Sequence, residues 1–325
     1  MTATIAAPRK RAAKRVPLNV IGIAFGTAGL AGAWTTATVA LNAPPAVGQV
    51  LWAVAAAAWL IIGVRYLVAA GSIAAVMSDL RSPVLGPFGA LYPVVGSLLA
   101  AHLAPLLPEL AAVGVWLMAL VSVAFGGWFV SSLMTQPRDP AALHGGYLLP
   151  TVAATLLTAQ SFALIGQRQW AMGFFAVGIL FWALIGSALM LRFATGPQIP
   201  EPLMPTLAIF SAPPAVAGNA WWAIADGEAS TVHTILGATM VALLLPHLFL
   251  VRRYLIATFA VGFWALTFTA AASAGYAVRL LTASDGGTAA VVGAWVALVL
   301  ATTLIAAVAI GSLHLALASR RLAAR

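Results

Sequence analysis

The chain has no cysteine, so it can form no disulfide and no thiolate metal site, and it has no cysteine nucleophile. Charge is also scarce, since only 7% of its 325 residues are Asp, Glu, Lys or Arg. Soluble domains carry about 25% charged residues. Hydrophobic residues make up 62% of the sequence. This composition predicts an integral membrane protein without a soluble domain.

Apolar stretches long enough to cross a bilayer as helices, which takes ~20 residues, recur along the chain. They fall near residues 17–39, 46–70, 84–104, 108–131, 147–166, 170–192, 203–225, 230–250, 257–281 and 288–316. We therefore expect an all-α polytopic membrane protein of about ten transmembrane helices. The connections are short, so sequential helices should form antiparallel hairpins. The second helix is expected to continue through Ser78 and to end at the turn Arg81-Ser82-Pro83.

Lysine and arginine lie mainly on one side of this predicted topology. With the N-terminus in the cytoplasm, the inner side receives the basic N-terminal tail, Arg81, Arg138, Arg192, Arg252, Arg253 and the C-terminal arginines, and the outer side receives only Arg168 and Arg279. The positive-inside rule then predicts two cytoplasmic termini in the cell (inner) membrane. We expect a basic tail at 1–16, a transmembrane domain at 17–318 and a basic tail at 319–325. We interpret the tails as topology signals that contact the lipid bilayer, not as nucleic-acid arms.

Glycine, proline and small residues concentrate in the odd-numbered segments, whereas tryptophan is common in the even-numbered ones. A proline inside a membrane helix removes a backbone hydrogen bond and kinks the helix. This alternation predicts five small-residue helices around a central pore, with five bulkier helices outside them. The pore-lining or kink candidates are Gly22, Phe25, Gly26, Gly29, Phe88, Pro93, Gly96, Pro150, Phe210, Pro214 and Thr267.

The ninth segment carries the main gate candidate, Phe268. After it, residues 269–275 have almost only small side chains. Small residues let another helix approach closely, or they leave space. Phe268 lies near the middle of its segment, so it is a candidate for a hydrophobic constriction that closes a pore by dewetting. Phe25, Phe88 and Phe210 are expected off-centre, toward the cytoplasm. The alternative interpretation is that Phe268 is an ordinary filler between packed helices.

Catalytic and metal-binding patterns are missing from the sequence. No histidine or carboxylate pair has metal-ligand spacing, and neither a Ser/His/Asp set nor a Gly-Lys phosphate loop occurs. We therefore predict no enzyme activity, metal or cofactor. Asp, Glu, Lys and Arg are absent from the stretches 17–39, 84–99, 147–165, 203–225 and 258–278 of the odd-numbered segments. Proton-coupled transport usually needs a buried ionisable group, and tight dicarboxylate binding usually needs an arginine clamp. This favours low-affinity passage of small anions, with selectivity set by pore width, backbone dipoles and a basic cytoplasmic mouth.

Several short motifs follow one another in order along the third, fifth, seventh and ninth segments. They are Arg81-Ser82-Pro83-Val84 with Ala90-Leu91-Tyr92-Pro93, Tyr147-Leu148-Leu149-Pro150, Ala212-Pro213-Pro214-Ala215, and Phe263-Trp264-Ala265-Leu266-Thr267-Phe268. Through these motifs nearly the whole chain resembles the tellurite-resistance/dicarboxylate transporter family. That family includes bacterial TehA, fungal malate permeases and plant slow anion channels.

The resemblance implies ten helices in five hairpins with quasi-five-fold symmetry, and a homotrimer with one pore per subunit. It also implies a phenylalanine gate, at Phe268. Pro93, Pro150 and Pro214 match the family's kinking prolines, whereas Ala24 stands where the first helix should have one. Two functions stay open: an anion-selective channel, and a proton-linked C4-dicarboxylate or tellurite-related transporter. Short loops and the missing soluble domain count against a non-conducting scaffold.

Overall fold

A computed structural model describes residues 15–323, and every regular element in this range is helical. The α-helices are α1 (Gly22–Leu41), α2 (Pro45–Ala70), α3 (Ile73–Leu80), α4 (Leu91–His102), α5 (Pro108–Thr135), α6 (Ala154–Leu164), α7 (Arg168–Thr195), α8 (Leu207–Ser211), α9 (Pro213–Ile224), α10 (Thr231–Ile256), α11 (Trp264–Thr282) and α12 (Gly287–Ala323). Of the predicted tails at 1–16 and 319–325, residues 1–14 and 324–325 lie outside the described residues, and residues 319–323 continue α12. The all-helical membrane class is confirmed.

Eight helical stretches within residues 15–323 are long and apolar enough to cross a membrane. They are Leu18–Leu41, Pro45–Ala70, Pro108–Thr135, Gly145–Leu164, Arg168–Thr195, Thr231–Ile256, Val261–Thr282 and Gly287–Ser319. The other two predicted segments, 84–104 and 203–225, consist of shorter helices. A 3₁₀ helix (Gly86–Ala90) precedes α4, and another (Glu201–Thr206) precedes α8 and α9. Pro213 and Pro214 open α9, because proline fits the first turn of a helix but cannot continue an earlier one.

The second predicted helix is divided, so the expectation of a continuous helix through Ser78 is wrong. α2 ends at Ala70, and Gly71 follows it with a left-handed φ of 65°. Ser72 then begins α3 by accepting a hydrogen bond from the backbone amide of Ala75 at 3.2 Å. A left-handed glycine ends a helix at little steric cost, and a serine beside it caps the next one.

Five elements form the interior of the bundle. α1 contacts α4, α4 contacts α6, α6 contacts α9, α9 contacts α11, and α11 contacts α1. The stretches Leu18–Leu41, Gly145–Leu164 and Val261–Thr282 bury at least half of their residues, whereas the stretches of α2, α5, α7, α10 and α12 bury less than a third. Each of these outer helices packs on the inner helix that precedes it in the chain. The burial therefore agrees with the predicted division into inner and outer helices.

Both ends of the described chain lie at the same end of the bundle. The 3₁₀ helix Leu18–Ile21 contacts the 3₁₀ helix Val261–Phe263. Near the end of α12, the Ser312 hydroxyl accepts a hydrogen bond from the indole nitrogen of Trp264 at 2.9 Å. The helix order puts Arg81, Arg138, Arg192, Arg252 and Arg253 at this end. We call it the basic end, and the other the opposite end.

Candidate functional site

Two stacked phenylalanine rings lie between the inner helices, in the interior of the bundle. The ring centroids of Phe25 on α1 and Phe268 on α11 are 3.6 Å apart, and their planes differ by 7°. Both residues are buried. Phe25 is the fourth residue of α1 and Phe268 the fifth of α11, so the rings meet near the starts of their helices. The sequence predicted that Phe25 lies off-centre from Phe268, whereas the structure stacks the two rings on each other; we call this pair of rings the aromatic plug.

The plug fits against α1 because position 29 is a glycine. A Cβ atom on Gly29 would lie 2.8 Å from Cδ2 of Phe268 and 3.2 Å from Cβ of Ala271. Real side chains essentially never approach so closely, so a larger residue here would displace the Phe268 ring. Gly29 therefore provides space for the plug.

A small apolar cavity lies beside the plug toward the basic end; we call it the inner cavity. Its volume is about 30 Å³, roughly the space that one water molecule takes in the liquid. All five inner segments contribute to its wall, which includes Gly22, Phe25, Phe88, Leu91, Leu149, Val152, Ile209, Pro213, Val216, Ala265, Phe268 and Thr269. No Asp, Glu, Lys, Arg or His lines it among the described residues.

A larger and more polar cavity lies on the other side of the plug; we call it the outer cavity. Its volume is about 230 Å³. Gly29, which adjoins the Phe268 ring, lines it together with Ala271 and Ala272 of α11. Its polar wall residues are Thr35, Thr36, His102, Gln160, Asn219 and Arg279. No carboxylate lines either cavity in the described range, so Arg279 gives the outer cavity a positive charge.

Arg279 is the functional candidate that the sequence reasoning missed. Its Nε donates to Oδ1 of Asn219 and its Nη2 to Oγ1 of Thr36, each at 3.1 Å. The stretch without charge in the ninth segment ended one residue earlier, at Val278, so Arg279 was assigned to the outer surface. Helical periodicity could have found it, because Phe268, Ala272, Gly275 and Arg279 follow one another at spacings of four, three and four and share one face of α11.

Gly26 and Thr267 lie in the contact between α1 and α11, not in a cavity wall. A Cβ atom on Gly26 would overlap Oγ1 of Thr267 and lie 2.8 Å from its Cβ. The Thr267 hydroxyl donates to the carbonyl oxygen of Trp264 at 2.7 Å. Gly22 is packed in a similar way, since its Cβ would lie 3.2 Å from Cβ of Trp264, but it also lines the inner cavity. These glycines let the two helices that carry the plug approach closely.

The other candidates lie mostly on the outward faces of the inner helices. Pro93 lines a groove between α2, α3 and α5, and a Cβ on Gly96 would meet Met118 Sδ at 2.6 Å. Pro150 stands in a π-helical turn (Leu149–Ala153) and lines a peripheral cavity against α5. Phe210 packs edge-on against Phe193 of α7, with centroids 5.4 Å apart. Pro214 is buried beside Pro213, which lines the inner cavity. Pro93 and Pro150 therefore lie on the outward faces of the inner helices, while Phe25, Phe88 and Phe268 face the inner cavity.

A buried histidine, His144, forms hydrogen bonds at the starts of two inner segments, 84–104 and Gly145–Leu164. His144 precedes the stretch Gly145–Leu164 and is fully buried. Its Nε2 lies 3.0 Å from the carbonyl oxygen of Val84, and its Nδ1 accepts from the amide of Gly146 at 3.1 Å. These contacts need a neutral ring with the proton on Nε2. The ring also stacks on Phe88, which lines the inner cavity.

We expect His144 to make the folded protein sensitive to acid. Burial lowers the pKa of His144 to about 4, whereas an unfolded histidine titrates near 6.5. A depressed folded pKa means that stability is full above pH ~6.5 and falls as the pH drops toward 4, by about 3 kcal/mol at most. His144→Gln should remove most of this pH dependence in a thermal unfolding series. His314→Gln, at an exposed histidine on α12, is the control and should keep it. Equal pH slopes for both variants would contradict the assignment.

Metal ligation has no evident place in the described range, because no three His, Asp or Glu side chains come together there. The described residues instead form a helical membrane protein whose inner helices enclose two cavities, with an aromatic plug between them. The chain belongs to the voltage-dependent anion channel family, SLAC1, whose family model matches residues 15–313. The resemblance drawn from the sequence motifs is thereby confirmed. This family consists of channels and transporters rather than enzymes.

Two relatives are similar in sequence to the chain. The chain is 29% identical over 223 residues to the tellurite resistance protein TehA homolog of Haemophilus influenzae, and the alignment covers 68% of each protein. It is 26% identical over 180 residues to the S-type anion channel SLAH4 of Arabidopsis thaliana. That second alignment covers 54% of this chain and 42% of the plant protein, so it spans less than half of the relative. Together with the family match, these relatives support a role in anion transport.

Proposed function

We propose that the protein is an anion-selective membrane channel, with a pore that runs through the two cavities and is occluded by Phe268 together with Phe25. The observation that carries the proposal is the charge pattern of the cavity walls. Among the described residues no carboxylate lines either cavity. Arg279 is the one arginine among them that lines a cavity, and it lies in the outer cavity. A wall with this pattern attracts anions and repels cations. The apolar plug supplies a constriction that water and ions cross only when the rings move.

A proton-linked dicarboxylate or tellurite-related carrier is the competing function, and the printed name of the Haemophilus relative concerns tellurite resistance. A carrier of this kind needs an ionisable group that binds and releases the coupled proton within the conduction path. The inner cavity has no such group in its described wall. The outer cavity has one histidine and one arginine, and a dicarboxylate would leave one of its two charges without an arginine partner. The histidine, His102, already has Oε1 of Gln49 at 3.2 Å from its Nε2, and the single arginine suits one negative charge, so these walls favour uncoupled passage of small anions.

Currents through the purified protein in planar bilayers distinguish the two functions. Under chloride or nitrate gradients, a channel gives a current whose reversal potential follows the anion gradient and ignores a pH gradient. A proton-coupled carrier gives a reversal potential that moves when a pH gradient is imposed at constant anion concentrations. Malate, applied in the same way, tests the dicarboxylate directly. Cation-selective currents would overturn the proposed function.

We infer ten membrane crossings in five hairpins with quasi-five-fold symmetry around the pore. Two broken segments, 84–104 and 203–225, would cross in addition to the eight long stretches. The closed series of contacts from α1 through α4, α6, α9 and α11 supports five inner crossings. Each inner helix also contacts the outer helix that follows it, as expected of a hairpin. Under this architecture the inner helices line the pore, and Gly22, Phe25, Gly29 and Phe88 contribute to its wall.

The arginine distribution leads to a prediction of topology. By the positive-inside rule the basic end should face the cytoplasm, and both termini with it. A reporter fused after Arg325 should then give a cytoplasmic signal, and a reporter inserted in the connection 225–230 should give a signal from the other side. Signals from the same side would refute the count of ten crossings in an inner membrane.

A homotrimer with one pore in each subunit is the expected assembly. The outer helices expose large apolar side chains, such as Leu117 on α5 and Phe249 on α10, which suit contact with lipid or with another subunit. The aromatic plug lies inside a single chain, so each subunit should conduct independently. Chemical cross-linking in mild detergent should give monomer, dimer and trimer bands. A ladder that ends at the dimer would contradict this assembly.

A further inference from the structure

We propose that the outer cavity binds one small monovalent anion on the guanidinium of Arg279, on the outer side of the aromatic plug. The site deepens the proposed function and rests on it for its role in conduction, although binding itself can be measured without conduction. The sequence placed the positive charge that attracts anions at the cytoplasmic mouth. The structure instead places one positive charge inside the protein, on the same face of α11 as Phe268.

Within residues 15–323 no carboxylate forms an ion pair with Arg279, whose guanidinium carbon lies 5.7 Å from the centroid of the Trp222 ring. Its two hydrogen-bond partners, Asn219 and Thr36, are neutral. The ion pairs formed within residues 15–323 are Arg15 with Asp79 and Arg168 with Asp226, and neither involves Arg279. An arginine inside a membrane-spanning segment is costly unless another charge or several dipoles compensate it. An anion in the adjoining cavity would supply the missing charge.

Hydrogen bonds hold the Arg279 guanidinium in a fixed orientation, and its remaining N–H groups can donate to a ligand. The amide nitrogen of Asn219 donates to the carbonyl oxygens of Ala215 at 3.0 Å and Ala272 at 2.9 Å. This fixes the Asn219 Oδ1 that accepts from Arg279. Arginine has five N–H groups, and the bonds to Asn219 and Thr36 use two of them. The other three have no hydrogen-bond partner among the described residues, while Arg279 lines the cavity.

The size and composition of the cavity indicate which anion fits. A volume of about 230 Å³ holds a chloride or nitrate ion with several waters, since a water takes ~30 Å³ in the liquid. The hydroxyl of Thr35 and the amide of Gln160 lie in the same wall. His102 also lines it, but its Nε2 already lies 3.2 Å from Oε1 of Gln49. With a single arginine, the site suits one negative charge better than two.

Bromide tests the site directly, because its position can be read from anomalous diffraction. In crystals of the full chain grown in sodium bromide, we expect a bromide peak within hydrogen-bond distance of the Arg279 guanidinium. Arg279→Gln should abolish this peak. Arg168→Gln is the matched control: Arg168 also lies at the opposite end, but it pairs with Asp226 at 2.8 Å and lines neither cavity. A wild-type crystal without the peak, or an Arg279→Gln crystal that retains it, would overturn the proposal.

Conduction gives a second and separable measurement. In a background with the plug removed, Arg279→Gln should raise the half-saturating chloride concentration on the outer side by about tenfold, as expected when a hydrogen bond to a charged group is lost. An unchanged half-saturating concentration would also overturn the site. If Arg279→Gln does not fold, Thr36→Val removes one support of the guanidinium and should raise the same concentration to a smaller degree. If bromide binds at Arg279 but no variant gives an anion current, the proposed channel function is refuted, whereas the anion-binding site is supported.

Discussion

The double variant Phe25→Ala/Phe268→Ala will pass a far larger anion current than the wild-type chain. The two rings are stacked with centroids 3.6 Å apart and separate the inner cavity from the outer cavity. Without them, the wall next to the vacated space would include the small residues Gly29 and Ala272 of the outer cavity and Thr269 of the inner cavity. Water should enter a passage with such a wall, and a hydrated pore conducts where a dry apolar constriction does not.

The single variants should give smaller increases than the double variant. In Phe268→Ala the Phe25 ring remains at the same depth and can move into the vacated space, and the converse holds for Phe25→Ala. The sequence alone pointed to Phe268 as the single gate, because Phe25 was expected off-centre. Double-variant currents that exceed the product of the two single effects would identify the rings as one obstruction.

Current has to be compared with stability in every variant. Cutting a buried phenylalanine to alanine costs ~3–5 kcal/mol in soluble cores, so a change in fold has to be separated from the loss of a gate. Phe162→Ala is the matched control, since Phe162 is fully buried on α6 but lines neither cavity. It should lower the melting temperature of the purified protein without raising the current. If the double variant has an unchanged current and a clearly lowered melting temperature, the two rings are ordinary core residues and not a gate.

Much of the fold follows from patterns of composition, whereas the site depends on contacts between distant helices. The length and apolar character of the segments predicted the helices, because a membrane helix satisfies its own backbone. The break at Gly71 and Ser72 was missed, since both residues are tolerated in a continuous membrane helix. The inward position of Arg279 and the approach of Phe25 to Phe268 depend on how α1, α9 and α11 are rotated against one another, which no single segment specifies.

The motifs predicted the family correctly but not the role of each glycine and proline. Glycine and proline were grouped as pore-lining or kink candidates, although the structure separates them by face. Gly22 and Gly29 face cavities, Gly26 faces Thr267, and Gly96 faces Met118. A helix in the interior of a bundle has neighbours on every side, so its small residues have several possible reasons to be small.

Replacing Gly26 will destabilise the protein more than replacing most other helical glycines. A Cβ at this position overlaps the Thr267 hydroxyl and lies 3.1 Å from Cε3 of Trp264, so α1 and α11 would have to separate. Overpacking of this kind costs about 1–3 kcal/mol, which exceeds the gain of about 1 kcal/mol from better helix propensity. Gly26→Val should lower the melting temperature of the purified protein by more than Gly26→Ala.

Control and rescue variants make this prediction specific to the contact between the two helices. Gly173→Ala on α7 is the control, because a Cβ there meets no atom within 4 Å, and it should leave the melting temperature unchanged or raise it. Gly26→Ala/Thr267→Gly moves the methyl group from one helix to the other and should recover part of the loss. Because Gly26 and Thr267 directly adjoin Phe25 and Phe268 in the chain, separating the helices at this point should also part the two rings. Gly26→Ala is therefore expected to lower the melting temperature and to increase the anion current. A variant with the melting temperature and the anion current of the wild type would show that the contact at Gly26 does not hold the plug closed.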